Sequence, residues 1–174
     1  MGCVAEIRVR VDGDLGVCVE LLRDVHEVAG YPVNWPADAR KWLTPEDGLG
    51  CWVAVSDGRV VGHVALTVNG ADGVSVERLF VDPKATRAGI GRQLLDHSVK
   101  TAAELDRKLS LEVVANRGAA ERLYRRAGWL ETGRTPIDWA GDQASELIHF
   151  EAPTERQGSP YPTKWAEDGI RTGQ

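Results

Sequence analysis

Two glycines one residue apart, in DPKATRAGIGRQLL at 82–95, are the residues whose type and spacing speak most directly of chemistry. They stand between a strand-like stretch, VSVERLFV, and a run with helical spacing. A helix start exposes unpaired N–H groups and the positive end of the helix dipole, and bare backbone there lets a phosphate come close. A P-loop would need Lys and Ser/Thr after the second glycine, but Gly91 is followed by Arg92 and Gln93. The dinucleotide fingerprint would need a third glycine where Leu94 stands. What remains is a general phosphate cradle, or a glycine-lined helix entry with no ligand. Residues 84–126 hold ten Lys/Arg against five Asp/Glu, in a chain of net charge −5. A basic segment of this kind suits an anionic ligand, and solvated helix faces carry such runs as well.

Other chemistries find less support. Cys3, Cys18 and Cys51 show no C-x-x-C spacing, and His26, His63, His97 and His149 are equally scattered. Spacing therefore suggests neither a metal site nor a Cys/His nucleophile pair. The negative balance opposes bulk attraction to nucleic acid or to an anionic membrane. No apolar run approaches the roughly 20 residues that cross a bilayer. The first twenty residues carry Glu6, Arg8, Arg10, Asp12 and Asp14 without the apolar core of a secretory signal, so a cytoplasmic location is expected.

The elements that would position the loop are legible in the periodicity. VAEIRVRV at 4–11 alternates, putting Ala5, Ile7, Val9 and Val11 on one side of a strand. Asp14 is placed to cap a helix whose apolar residues run from Leu15 to Val28 and which Gly30 ends. Pro36 can open a short helix through Trp42 and Leu43. A hairpin turns at Asp57-Gly58. A third strand, at 74–81, leads through the glycine loop into a long helix from Ile90, and LSLEVVA at 109–115 comes next. That strand, helix, strand order predicts a parallel pair in a mixed sheet. Residues 118–127 form a second amphipathic helix ended by Gly128, and 129–131 and 146–151 read as closing strands. From Ala152 onward Pro, Gly and Ser accumulate and periodicity is lost, the mark of a loosely attached tail.

This order of elements, the strand ending LFVDP, the G-I-G loop and NRGAAERLYRRAGW together resemble the GNAT superfamily of N-acetyltransferases over residues 4–151, most specifically over 77–129. The resemblance implies an α/β GNAT fold, a central mixed sheet of about six to seven strands flanked by about four helices. The domain would span 1–151, with 152–174 as an irregular C-terminal tail. It also implies acetyl-CoA as co-substrate, its pyrophosphate held at Thr86, Arg87, Ala88, Gly89, Ile90, Gly91 and Arg92 and its pantetheine arm along the backbone of Leu79, Phe80 and Val81. Thr86 stands where the family has Gln or Arg, Arg87 where it often has Gly, and Arg117 where it often has Asn, one residue after Asn116. Asn116 and Arg117 complete the expected cofactor contacts, and an arginine there could meet a phosphate.

Transfer of acetyl to an amine needs a neutral nucleophile, a place for the oxyanion and a proton for the departing thiolate. The resemblance assigns the last role to Tyr124, whose phenol is protonated at neutral pH, with packing beside Leu123 as the alternative. Glu77 is the expected base, working through water; period two puts it on the side of Ser75 and Leu79, and a carboxylate paired with a nearby arginine is the alternative reading. Tyr31, Trp35, His63 and Trp139 are the candidate acceptor-binding residues, an aromatic rim with acidic neighbours that suits a cationic amine. A single histidine such as His63 is more often a satisfied structural group. Many members of the family form dimers, which leaves a homodimer open, and the oligomeric state is not readable from the sequence. The expected reaction is direct attack in a ternary complex on a small cationic metabolite or antibiotic. A protein N-terminus or lysine, or a non-catalytic acyl-CoA sensor, is the alternative.

Overall fold

A computed structural model describes residues 4–85, 88–116 and 118–153. A mixed seven-stranded sheet has the order β1-β2-β3-β4-β5-β7-β6. Its strands are β1 (Glu6–Val9), β2 (Gly48–Ser56), β3 (Arg59–Asn69), β4 (Gly73–Val81), β5 (Lys108–Val114), β6 (Leu130–Pro136) and β7 (Glu146–Glu151). Four helices, α1 (Leu15–Ala29), α2 (Ala39–Trp42), α3 (Ile90–Glu104) and α4 (Ala119–Arg126), accompany it among the described residues. This matches the expected α/β architecture, and β4 and β5, joined through α3, form the predicted parallel pair. The expected irregular tail lies outside the described residues from position 154 onward.

Two apolar clusters divide the molecule. One face of the sheet carries α3 and α4, whose Ile90, Leu94, Leu95 and Tyr124 pack with Val64, Leu66, Val74, Val76, Leu111, Ile148 and Phe150. The other face meets α1 through Cys18, Leu21, Leu22 and Val25, which enclose Val53, Phe80 and Leu43. The helical spacing of α1 produces that stripe, and Gly30 closes the helix at φ +70°, with its N–H on the His26 carbonyl.

Several local expectations are corrected. Asp14 does not cap α1 with its side chain. Its carboxylate instead takes two hydrogen bonds from Arg8, at 2.8 and 2.9 Å, and one from the Val11 N–H at 2.8 Å. A bidentate, charge-assisted pair outcompetes a neutral cap for the same oxygens, and Arg8 holds the Asp14 carboxyl down to about 2. The β1 alternation holds only for Ala5 and Ile7, which reach the core, whereas Val9 and Val11 are exposed. The strand lies at the sheet edge and ends at Val9, and from there the chain leaves the apolar layer. The α2 helix begins at Ala39 rather than at Pro36, because Asp38 accepts from the Lys41 N–H at 3.0 Å and caps it there. β6 runs on to Pro136, drawn out by its ladder with β7, and Trp129 stays in the core before it.

Candidate active site

The parallel ladder between β4 and β5 lasts for three residue pairs, Gly73–Lys108, Val74–Leu109 and Ser75–Ser110, and then stops. Beyond Ser75, β4 keeps its pairing with β3 while β5 pairs with β7, so a gap opens within the sheet. A bulge shapes the β4 side of that gap. Glu77 pairs with Ala65 and Phe80 with His63, leaving Arg78 and Leu79 opposite Val64 alone. Arg78 takes φ +53°, a left-handed backbone without glycine. The bulge reverses the alternation. Val74 and Val76 face the α3 side before it, Leu79 and Val81 after it, and Phe80 faces α1. Glu77 and Leu79 therefore lie on opposite faces, against the period-two expectation, because the extra residue shifts the phase by one. The Asp82 N–H donates to the Val61 carbonyl on β3 at 2.8 Å. Alternation then gives the Phe80 N–H the same direction and leaves the amides of Leu79 and Val81 turned toward the gap.

The glycine loop delivers the start of α3 beside this opening. Gly89 is the N-cap, at φ +74°, and no side chain caps the helix. A Cβ at Gly89 would meet nothing within 4 Å, so there is open space at the N-cap itself. Gly91 serves another purpose: a Cβ there would come within 3.0 Å of Leu123 Cδ2 and 3.7 Å of Val81 Cγ2, so it lets α3 lie against α4 and β4. The Ala88 N–H is already bonded to the Ala85 carbonyl at 3.2 Å. The Ile90 side chain is core, leaving its amide for a ligand. Arg92 sends its guanidinium to Asp96 at 3.0 Å. Asn116 lies just past β5, with its N–H on the Val114 carbonyl. Thr86, Arg87 and Arg117 lie outside the described residues. An open helix start with free amides, next to a gap lined by two more, fits a diphosphate joined to an extended arm.

Tyr124 is buried beneath α4, its ring tilted against Trp129 and Phe150 at centroid distances of 6.2 and 5.7 Å. Loss of solvent pushes its hydroxyl well above the ordinary tyrosine range. Glu77 sits half-buried on the opposite face, 3.4 Å from the Arg78 guanidinium. Burial raises its carboxyl above the usual range, Arg78 opposes this, and the like charge of Glu112 on β5 adds to it. Glu112 lies across the gap, 3.1 Å from His149 Nδ1. Tyr31 lies within electrostatic range of both Tyr124 and Glu77; burial raises its hydroxyl, with the Arg78 charge opposing. The gap thus joins groups from the two faces of the sheet.

The acceptor-side candidates divide. Tyr31 packs toward Trp42 at 6.0 Å. Asn34 Nδ2 donates to the Trp139 carbonyl at 3.2 Å, bringing the α1–α2 connection and the β6–β7 loop together with the Trp139 ring half exposed. Trp35 turns away onto α1, where its ring meets His26 at 5.4 Å and the Arg23 guanidinium at 5.4 Å. His63 is fully buried and both its nitrogens are engaged, Nδ1 with the Arg78 carbonyl and Nε2 with Arg10, each at 2.9 Å. Burial, aided by the two guanidinium charges, lowers it to about 4. It is neutral at working pH and presents neither nitrogen to a ligand. Arg10, Arg78 and Glu112 are the residues here that sequence reasoning passed over. For Glu112 a signal existed, since alternation in LSLEVVA sets it opposite Leu111.

No group of three or more His, Cys, Asp or Glu able to hold a metal occurs among the described residues. No helix among them is long and apolar enough to cross a membrane. A family model described as the acetyltransferase (GNAT) family matches residues 18–129. The peptidyl-lysine N-acetyltransferase YjaB of Escherichia coli (strain K12) is 32% identical over 105 residues, 60% of this chain and 64% of that protein. The chain thus spans less than two thirds of the length of the curated relatives it matches. The ribosomal-protein-S18-alanine N-acetyltransferase from Escherichia coli has the same fold, with a TM-score of 0.70 at 22% identity, over 91% of this chain and 99% of that one. A Bacillus subtilis acetyltransferase in complex with CoA gives a TM-score of 0.63 at 15% identity, over 86% of this chain and 99% of that one.

Proposed function

The chain belongs to the acetyltransferase (GNAT) family, and from that premise we propose that it transfers acetyl from acetyl-CoA to a primary amine by direct attack in a ternary complex. One observation carries the reading: the β4–β5 ladder stops after three pairs, beside an uncapped helix start with open space before Gly89. The first-turn amides of α3 bind the diphosphate, and the amides of Leu79 and Val81 receive the arm and its thioester oxygen. Glu77 draws a proton from the acceptor ammonium through water. The neutral amine attacks the thioester carbon, and the tetrahedral oxyanion is held by a β4 amide. Collapse breaks the carbon–sulfur bond, and Tyr124 gives its proton to the departing sulfur. The second proton, lost by the positively charged nitrogen of the adduct, returns the phenol to its neutral form, leaving the amide and the free CoA thiol. Burial raises the Cys18 thiol to about 11 and raises Cys51 as well, so neither is a ready thiolate, in keeping with direct transfer.

The acceptor is a small amine of cationic character, because Glu77 and Glu112 flank the gap and Tyr31, Trp42 and the exposed Trp139 supply aromatic surface nearby. A protein lysine is the second reading, favoured by the name of the 32% identical relative. A thiol-release assay with acetyl-CoA tests both, using spermidine, tyramine and a lysine-containing peptide. Turnover on the small amines supports the first reading and turnover on the peptide alone the second. Tight acetyl-CoA binding without turnover on any of them would turn the protein into a sensor.

The Glu77 assignment predicts a pH dependence. A base must be ionised, so kcat/KM for the best amine rises as pH climbs through the raised pKa of Glu77. Glu112→Gln removes a like charge that favours the protonated form, so the acid limb moves to lower pH. A pH–rate profile that stays in place for this variant removes Glu77 as the titrating group.

A further inference from the structure

Arg78 is held in a left-handed backbone, φ +53°, and for a residue with a side chain that conformation persists only where the surroundings impose it. Here the surroundings can be named. His63, on the neighbouring strand, is fully buried and stacks on Phe80 with ring centroids 5.1 Å apart and planes 14° from parallel. Its Nε2 lies 2.9 Å from Arg10 Nη1. A guanidinium can only donate, so Nε2 accepts and Nδ1 carries the proton. The Nδ1–H then donates to the Arg78 carbonyl at 2.9 Å. Arg10 is itself anchored beyond α2, on the Leu43 carbonyl and the Thr44 hydroxyl, each at 2.6 Å. Arg78 closes the circuit, with Nε on the Trp42 carbonyl at 3.0 Å and its guanidinium 4.0 Å above the Trp42 ring.

The peptide bond turns this anchoring into an effect on the gap. The Arg78 carbonyl and the Leu79 N–H belong to one planar trans unit and point in opposite directions. Fixing the carbonyl on His63 therefore fixes the Leu79 N–H away from it. We propose that His63, aligned by Arg10, is a positioning residue for acetyl-CoA: it pins the Arg78–Leu79 peptide so that the Leu79 amide stays directed at the thioester arm. The proposal rests on the acetyl-CoA reading above and adds a role that touches neither coenzyme nor acceptor.

Calorimetric titration of acetyl-CoA into the full chain tests it, with thermal unfolding recorded alongside. His63→Leu, which loses the donor, is expected to weaken binding about fivefold to tenfold, the scale of one oriented hydrogen bond. His63→Asn places an amide N–H near the position of Nδ1–H and is expected to restore most of the affinity even where its unfolding temperature stays low. Arg10→Met leaves the tautomer unfixed and is expected to weaken binding by a smaller factor. Wild-type affinity in His63→Leu, or an equal loss in His63→Asn and His63→Leu, overturns the proposal. If His63→Leu does not fold, Arg10→Met decides, and unchanged affinity there overturns it. A wild-type chain that takes up no acetyl-CoA defeats the underlying functional reading instead.

Discussion

Tyr124→Phe is expected to lower kcat about tenfold to a hundredfold while leaving acetyl-CoA affinity within about threefold, the range for a lost hydrogen bond to a charged group. Burial decides which part of the phenol's contribution matters. It keeps the hydroxyl protonated throughout the working pH range, yet it also makes the phenol a weaker acid than an exposed tyrosine. On the proposed mechanism the main contribution expected of it is therefore a hydrogen bond that strengthens as charge gathers on the departing sulfur, present in the transition state more than in the ground state. The ring contacts with Trp129 and Phe150 survive in phenylalanine, so the unfolding temperature should hardly move. Steady-state kinetics beside a melting curve settle the matter. An unchanged kcat would leave Tyr124 as a packing residue.

The paired glycines should separate when each is changed to alanine. At Gly89 the added Cβ meets nothing, but φ +74° strains an L-residue by about 1–2 kcal/mol and the methyl enters the space before the helix amides. Gly89→Ala is thus expected to weaken acetyl-CoA binding at least about tenfold, since the diphosphate loses close approach to the backbone. At Gly91 the Cβ would press on Leu123 at 3.0 Å, an overpacking cost of about 1–3 kcal/mol felt mainly in stability. Calorimetry and thermal unfolding on both variants should show affinity falling more for Gly89→Ala and stability falling more for Gly91→Ala. The reverse pattern would remove Gly89 from the coenzyme site.

Much of this arrangement is readable from the chain. Apolar spacing marks α1 and α3, Asp57-Gly58 marks a hairpin, and the strand, helix, strand order around the glycines dictates a parallel pair, because these signals are local. The bulge is not local. Nothing in VSVERLFV distinguishes Arg78 from its neighbours; its backbone is set by Trp42 from α2 and His63 from β3, which meet it only in the fold. The same reason hides the partners of His63. Alternation gives its face, but the ring's two bonds go to Arg10, 53 positions away, and to the Arg78 carbonyl, 15 positions away. Asp14 shows a competition that a capping rule cannot weigh, since Arg8 reaches its carboxylate only once β1 and α1 are packed.

The short β4–β5 ladder has a mechanical consequence. With three residue pairs joining them, the strands β1–β4 and β5–β7 form two blades that share one narrow seam, and α3 and α4 clamp them from a single side. Beyond Ser75 and Ser110 no ladder pairs β4 with β5, so widening the seam slightly costs few hydrogen bonds. An extended ligand lying there would supply the missing rungs, so that beyond Ser75 and Ser110 the two blades would be bridged only while it is bound.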